Sequence, residues 1–211
     1  MLRVVFGGTF DPIHKGHVQT SLAAFAELGA EIMHVMPSAL PPHRDYPGAT
    51  AEQRLAMVDL AYSEVTQVIA EDWELRREGH SYSLLTLQEM RETWPNDSLV
   101  FLLGNDAFAN LDSWFGWQQL LDYAHLAVMR RPAQTTPWTA AVQGLVEARQ
   151  TTALTELHQQ RSGAIYLLDT PDIAISATAL RAALATGQSW REWVAPKVAD
   201  YIEKHHLYGQ L

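Results

Sequence analysis

The sequence predicts an α/β fold, a parallel β-sheet wrapped by helices on both faces. Three observations predict it. Short apolar, β-branched runs alternate with segments of helical period from one end of the chain to the other. Two of these runs, residues 2–6, apolar but for Arg3, and residues 99–103, apolar throughout, have the pattern of strands covered on both faces. Both also stop at glycine, at Gly7-Gly8 and at Gly104, where the chain must turn sharply out of a strand. No internal repeat or low-complexity linker interrupts the alternation, so residues 1–211 are expected to form a single domain, with closing helices from about residue 176 packed on it.

The elements run in order along the chain. Residues 2–6 read as the first strand. Residues 17–28 read as a helix, with Val18, Leu22, Phe25 and Leu28 at helical spacing. Residues 31–36 form a second strand stopped by Pro37, and residues 37–49 are too rich in proline for either regular state. Thr50 caps the next helix, and Gln53 three residues on completes a T-x-x-Q capping box. Residues 68–70 open a third strand, and residues 83–94 form a helix ended by Pro95. Further strands lie at 99–103, 125–129 and 164–168, with a Gln/Thr/Ala-rich helical stretch between 135 and 160. Helices over 176–185 and 197–206 close the chain. In such sheets ligands sit at the carboxyl ends of the strands, near the point where strand order reverses.

Composition narrows the function classes. Lys and Arg number 15 against 24 Asp and Glu, a formal charge of −9. That balance disfavours a long polyanion or an anionic membrane as partner, but leaves room for a small phosphate-bearing ligand in a locally positive cleft. There is no cysteine, which removes disulfides, thiolate catalysis and Cys-type zinc sites. No apolar run approaches the roughly 18 residues of a membrane span, and the start lacks the longer apolar core of a secretory signal. A cytoplasmic protein is the expectation.

Two constellations carry chemistry. The first is GGTFDPIHKGH, residues 7–17. Glycines directly after a strand let the backbone approach a phosphate, and His14 and His17, three apart at a helix start, project into the same space. Neither the dinucleotide fingerprint nor the Walker lysine pattern is present. The His pair could also be half of a metal site, but no H-E-x-x-H arrangement or cysteine completes one, and no metal-ligating residues are assigned. The second is ISATALR, residues 175–181. Ser176 is a natural helix N-cap, its hydroxyl, Thr178 and the free N–H groups make an anion nest, and Arg181 adds a permanently charged fork.

Together, and about 160 residues apart, these two motifs resemble the paired signature of the HxGH nucleotidyltransferases, whose fold is a Rossmann-like sheet. PPHR (41–44), SYS (81–83), GND (104–106), SW (113–114) and RRP (130–132) extend the resemblance. With them the chain is similar to bacterial nicotinate-nucleotide adenylyltransferases along most of its length, least so over 135–163. The segment before PPHR is Ser38-Ala39-Leu40 where relatives often carry asparagines, and Ser83 stands where relatives commonly carry Thr.

The resemblance implies an enzyme that joins ATP and nicotinate mononucleotide into deamido-NAD, releasing pyrophosphate, with Mg²⁺ accompanying ATP and no covalent intermediate. Such a transfer asks mainly for alignment and neutralised phosphoryl charge. Carried over by residue, His14 and His17 would hold the triphosphate and stabilise the transferring phosphoryl group. Gly7, Gly8, Thr9 and Phe10 would line the phosphate turn, and Ser176, Thr178 and Arg181 would hold the triphosphate. Gly104 and Asp106 would meet the adenosine, although Asp106 reads equally as a helix N-cap. For the acceptor, Trp114 offers a π-face, Tyr82 and Ser83 with the local backbone would hold the carboxylate, and Arg44 and Arg131 are the anion partners. The rival readings are the same chemistry on nicotinamide mononucleotide or phosphopantetheine, and a nucleotide-binding sensor without turnover. Oligomeric state is not legible in the sequence.

Overall fold

The computed structural model describes residues 1–39, 48–130 and 136–209. Its strands are β1 (Leu2–Gly8), β2 (Ile32–Pro37), β3 (Val68–Ala70), β4 (Ser98–Gly104), β5 (His125–Arg130), β6 (Gln150–Thr151) and β7 (Ile165–Asp169). Its α-helices are α1 (Lys15–Glu27), α2 (Ala51–Ala61), α3 (Ser83–Thr93), α4 (Asn105–Ala109), α5 (Leu120–Tyr123), α6 (Ala140–Arg149), α7 (Leu154–Gln159), α8 (Ala177–Thr186) and α9 (Pro196–Lys204). Among the described residues the strands form one sheet in the order β3-β2-β1-β4-β5-β7-β6, with every pairing parallel. Strand order therefore reverses between β1 and β4, and the crevice at their carboxyl ends is where such sheets bind ligands.

Alternation along the central strands divides the core in two. Val4, Phe6, Val100 and Leu102 face the layer that carries α1, α2, α8 and α9. Val5, Leu99, Phe101 and Leu103 face the opposite layer, with Leu84, Leu87 and Met90 of α3 and Val142 and Val146 of α6. Both faces are apolar because both are covered, which is why Val4–Phe6 and Leu99–Leu103 read as unbroken hydrophobic runs. Each such leucine contributes roughly 1.5–3 kcal/mol by leaving water. The helices that close the chain pack into the first layer through Leu180, Val198 and Ile202.

Two expectations change. The helical stretch over 135–160 is broken into α6 and α7 by β6, which pairs with β7 at the sheet edge. The break falls at Thr151-Thr152, β-branched residues suited to a strand, and the Thr151 hydroxyl accepts from Ala153 N at 3.1 Å before α7 begins. The first helix starts at Lys15 rather than at residue 17, because His14 supplies its cap. Among the described residues no helix is long and apolar enough to cross a membrane.

Candidate functional site

β1 ends at Gly8, and the chain turns through Thr9 and Phe10 into α1. At Gly8 a Cβ would lie 2.9 Å from the Phe10 ring, so the turn closes only around glycine. Phe10 has a left-handed φ of 49° and its ring is buried edge-on against Phe6 and His17. At 3% exposed, its side chain packs beneath the turn.

His14 is the N-cap of α1. Its Nδ1 accepts from His17 N, and His17 Nδ1 accepts from His14 N, both at 3.3 Å, a capping box made of two imidazoles. The rings stack with centroids 3.7 Å apart, His14 buried and His17 half-exposed. Gly16 allows this: a Cβ there would sit 2.9 Å from His14 Cε1 and Nδ1, and 3.5 Å from Ile175 O. That last distance also shows the two motifs meeting, because Ile175 directly precedes the N-cap of α8. Ser176 caps α8 by accepting from Ala179 N at 3.1 Å, and Arg181 donates to Asp11 O at 2.8 Å. Ser176 and Thr178 are exposed at this terminus.

A cavity of about 320 Å³ lies between the ends of β1, β2 and β4 and the start of α3. Gly7, Gly8, Thr9, Gly104, Tyr82, Ser83 and Trp114 all line it, which brings together residues that are up to 107 positions apart in sequence. Trp114 stands edge-on to Phe101, with centroids 6.3 Å apart, and Tyr82 packs on exposed Phe115 at 4.7 Å. Tyr82 is the N-cap of α3, and among the described residues no side chain caps that helix; Leu85 N donates to Tyr82 O at 3.1 Å, which leaves the Ser83 and Leu84 N–H groups for a ligand or water. His14, His17 and Arg181 border the turn outside this cavity rather than lining it.

Asp106 lies in the first turn of α4, whose N-cap is Gly104; the capping role expected as its alternative therefore belongs to the glycine. The Asp106 Oδ1 accepts from Thr136 Oγ1 at 2.5 Å on the surface. Arg44 and Arg131, the two expected anion partners of the acceptor, lie outside the described residues.

Sequence reasoning passed over three functional neighbours. Arg54 is buried beneath the turn. Asp11, also buried, accepts from Gly48 N at 2.7 Å, Ala49 N at 3.1 Å and Tyr208 Oη at 2.7 Å, tying the motif loop to α2 and to the closing segment. Glu74 is buried on the cavity wall, accepts from Thr86 Oγ1 at 2.9 Å and also bonds the Ser81 hydroxyl; burial raises its carboxyl above the ordinary value. A signal for Glu74 was its place seven residues before SYS, but a Glu among charged neighbours reads as surface.

The site rests on a fold with known counterparts. The cytidylyltransferase-like family model matches residues 5–183. A curated protein of Aeromonas hydrophila, named "Probable nicotinate-nucleotide adenylyltransferase", is 43% identical over 97% of this chain and 95% of its own length. The chain belongs to the nicotinate-nucleotide adenylyltransferase family. A second relative bearing that name, from Idiomarina loihiensis, is 41% identical over 99% of this chain and all of its own. The fold is also that of a solved nicotinic acid mononucleotide adenylyltransferase of Plasmodium falciparum complexed with NaAD. It superposes with a TM-score of 0.71 over 98% of this chain and 97% of that one, at 18% identity. In this member of the nicotinate-nucleotide adenylyltransferase family, the two signature motifs lie at opposite ends of the sequence and meet only in the fold.

Proposed function

We propose that the chain transfers the adenylyl group of ATP to nicotinate mononucleotide. The oxygen of the acceptor's 5′-phosphate forms a bond to the α-phosphorus, the bond from that phosphorus to the bridging oxygen breaks, and pyrophosphate leaves. The observation that carries this reading is the cavity: a half-buried Trp114 face, the Ser83 hydroxyl and the start of α3, with Gly7, Gly8 and Thr9 of the motif turn in the same lining. An aromatic face suits a pyridine ring, and a helix N-terminus suits the carboxylate that marks the nicotinate form.

His14 and His17 donate to the phosphoryl oxygens as charge develops, and the Gly7–Thr9 backbone keeps that group close. The exposed terminus of α8, with Ser176, Thr178 and Arg181, takes the departing phosphates. Gly104 and Asp106 meet the adenosine. Mg²⁺ would be carried by ATP's own oxygens, since the side chains facing them are imidazoles, hydroxyls and a guanidinium, donors to phosphate rather than ligands for a hard cation. Arg44 and Arg131 are proposed as further anion partners of the acceptor.

Pyrophosphate release with ATP and each of nicotinate mononucleotide, nicotinamide mononucleotide and phosphopantetheine tests the reading. The nicotinate form should exceed the amide by roughly tenfold or more in kcat/KM, because a site built for a carboxylate leaves its donors unpaired against an amide. Equal rates, or preference for phosphopantetheine, would overturn the assignment. ATP binding without release on any acceptor would favour the sensor.

A further inference from the structure

Arg54, in the first turns of α2, is only 1% exposed, yet no ion pair reaches it among the described residues. Its direct partners are carbonyl oxygens, and the Asp11 carboxylate acts on it only from beyond ion-pair distance. Nη1 donates to Thr9 O at 2.8 Å and to Ser38 O at 2.7 Å, Nη2 to Ala39 O at 3.3 Å, and Nε to Ala49 O at 3.4 Å. A buried guanidinium held directly only by neutral dipoles is expensive, and an apolar side chain of similar volume would fill the same space at lower cost. Core packing therefore does not explain it.

What its partners do explains it better. Thr9 follows β1 and Ser38 follows β2, and both line the cavity. Ser38 N also donates to Gly8 O at 2.9 Å, and Ala39 N donates to Ser81 Oγ at 3.0 Å. Ser81 in turn bonds Glu74. One guanidinium thus joins the phosphate turn to the wall that leads to the SYS segment. Only a rigid fork with five N–H donors can hold four carbonyls in one arrangement; a lysine carries the charge without the geometry.

We propose that Arg54 is a positioning residue that fixes the spacing between the Gly7–Thr9 turn and the Ser38–Ala39 wall, and so the alignment of acceptor and α-phosphate. The proposal rests on the transfer reading above for its kinetic consequence. Its structural consequence stands independently.

The test uses Arg54→Lys and Arg54→Gln in the full chain, with three measurements. Thermal unfolding establishes that the variants are folded at 25 °C. Hydrogen exchange should then be at least tenfold faster in peptides spanning 8–11 and 36–39 while peptides of β4 keep wild-type protection. Steady-state pyrophosphate release should show kcat reduced at least 30-fold, with binding of a non-hydrolysable ATP analogue unchanged within threefold. Wild-type exchange in those two peptides, or kcat within threefold of wild type in a folded variant, would overturn the proposal. So would equal loosening of β4, or failure of both variants to fold, because either makes Arg54 a support of the core alone. If wild-type protein releases no pyrophosphate with any acceptor, the transfer reading fails while the exchange result still decides Arg54.

Discussion

Replacing Gly16 by alanine isolates what the glycine in HKGH does. The new Cβ would meet His14 Cε1 and Nδ1 at 2.9 Å, against an ordinary contact of about 3.5 Å, so the ring must retreat by about 0.6 Å. His14 has little room: it is 3% exposed, stacked on His17, and holds His17 N at 3.3 Å. A retreat of that size along the hydrogen bond takes it out of range and turns both imidazoles. The stability consequence is about 0–2 kcal/mol, because overpacking at roughly 1–3 kcal/mol is offset by up to about 1 kcal/mol from removing a helical glycine. The catalytic consequence is of comparable size. A 1 Å misplacement costs on the order of 100-fold, so 0.6 Å corresponds to about 15-fold, or roughly 1.6 kcal/mol of transition-state stabilisation. Pyrophosphate release and thermal unfolding on the same preparation separate the two effects. Full activity in folded Gly16→Ala would refute the reasoning, since it would mean that the His14 position does not matter to the chemistry.

Three further outcomes are expected. His17→Ala should lower kcat by about 10²–10³, the range for losing one donor to a developing charge, with little change in Tm; a loss under tenfold would remove His17 from the phosphoryl site. Tyr208→Phe should cost about 1.5–3 kcal/mol in urea unfolding, the range for a hydrogen bond to a charged group, because its hydroxyl donates to the buried Asp11 carboxylate; no measurable loss would show that the two backbone N–H groups suffice. Glu74, whose carboxyl burial raises above 4.5, binds in the native state a proton that the unfolded chain has released. Stability should therefore fall as pH rises from about 4.5 through the raised native value and level off above it. Glu74→Gln should flatten that slope in unfolding measured across pH, and an identical slope in both proteins would refute the assignment.

The parts of the fold that were legible are those in which a residue's own chemistry decides its setting. The run at 99–103 has no polar side chain to satisfy, and it is the buried centre of the sheet. Thr50 and Gln53 form both hydrogen bonds of the expected capping box, and Ser176 caps α8. The start of α1 was displaced because histidine is an unusual cap, and here two of them cap each other. Arg54 carries no local signal, and the one for Glu74, its spacing to SYS, is masked by its charged neighbours. An arginine in the helix segment 51–61 looks like a solvated face, and only the return of residues 9, 38, 39 and 49 to one point gives it partners. In the same way Gly16 is an unremarkable helical glycine until the rotamer of His14 is known.

The reversal of strand order between β1 and β4 bears on how the molecule could be divided. Strands β1 to β3 form one contiguous half-sheet and β4 to β7 the other, joined by the single ladder that pairs Leu2 with Ser98 through Phe6 with Leu102. The connection between the halves crosses the surface at Glu78, Gly79 and His80, all exposed, and Gly79 has a φ of 92°. A chain severed there yields two fragments whose mutual seam is also the wall of the cavity: Gly7, Thr9 and Glu74 belong to one, Ser83, Gly104 and Trp114 to the other. Neither fragment carries a whole pocket. A complete pocket would therefore need both fragments docked in register along that seam.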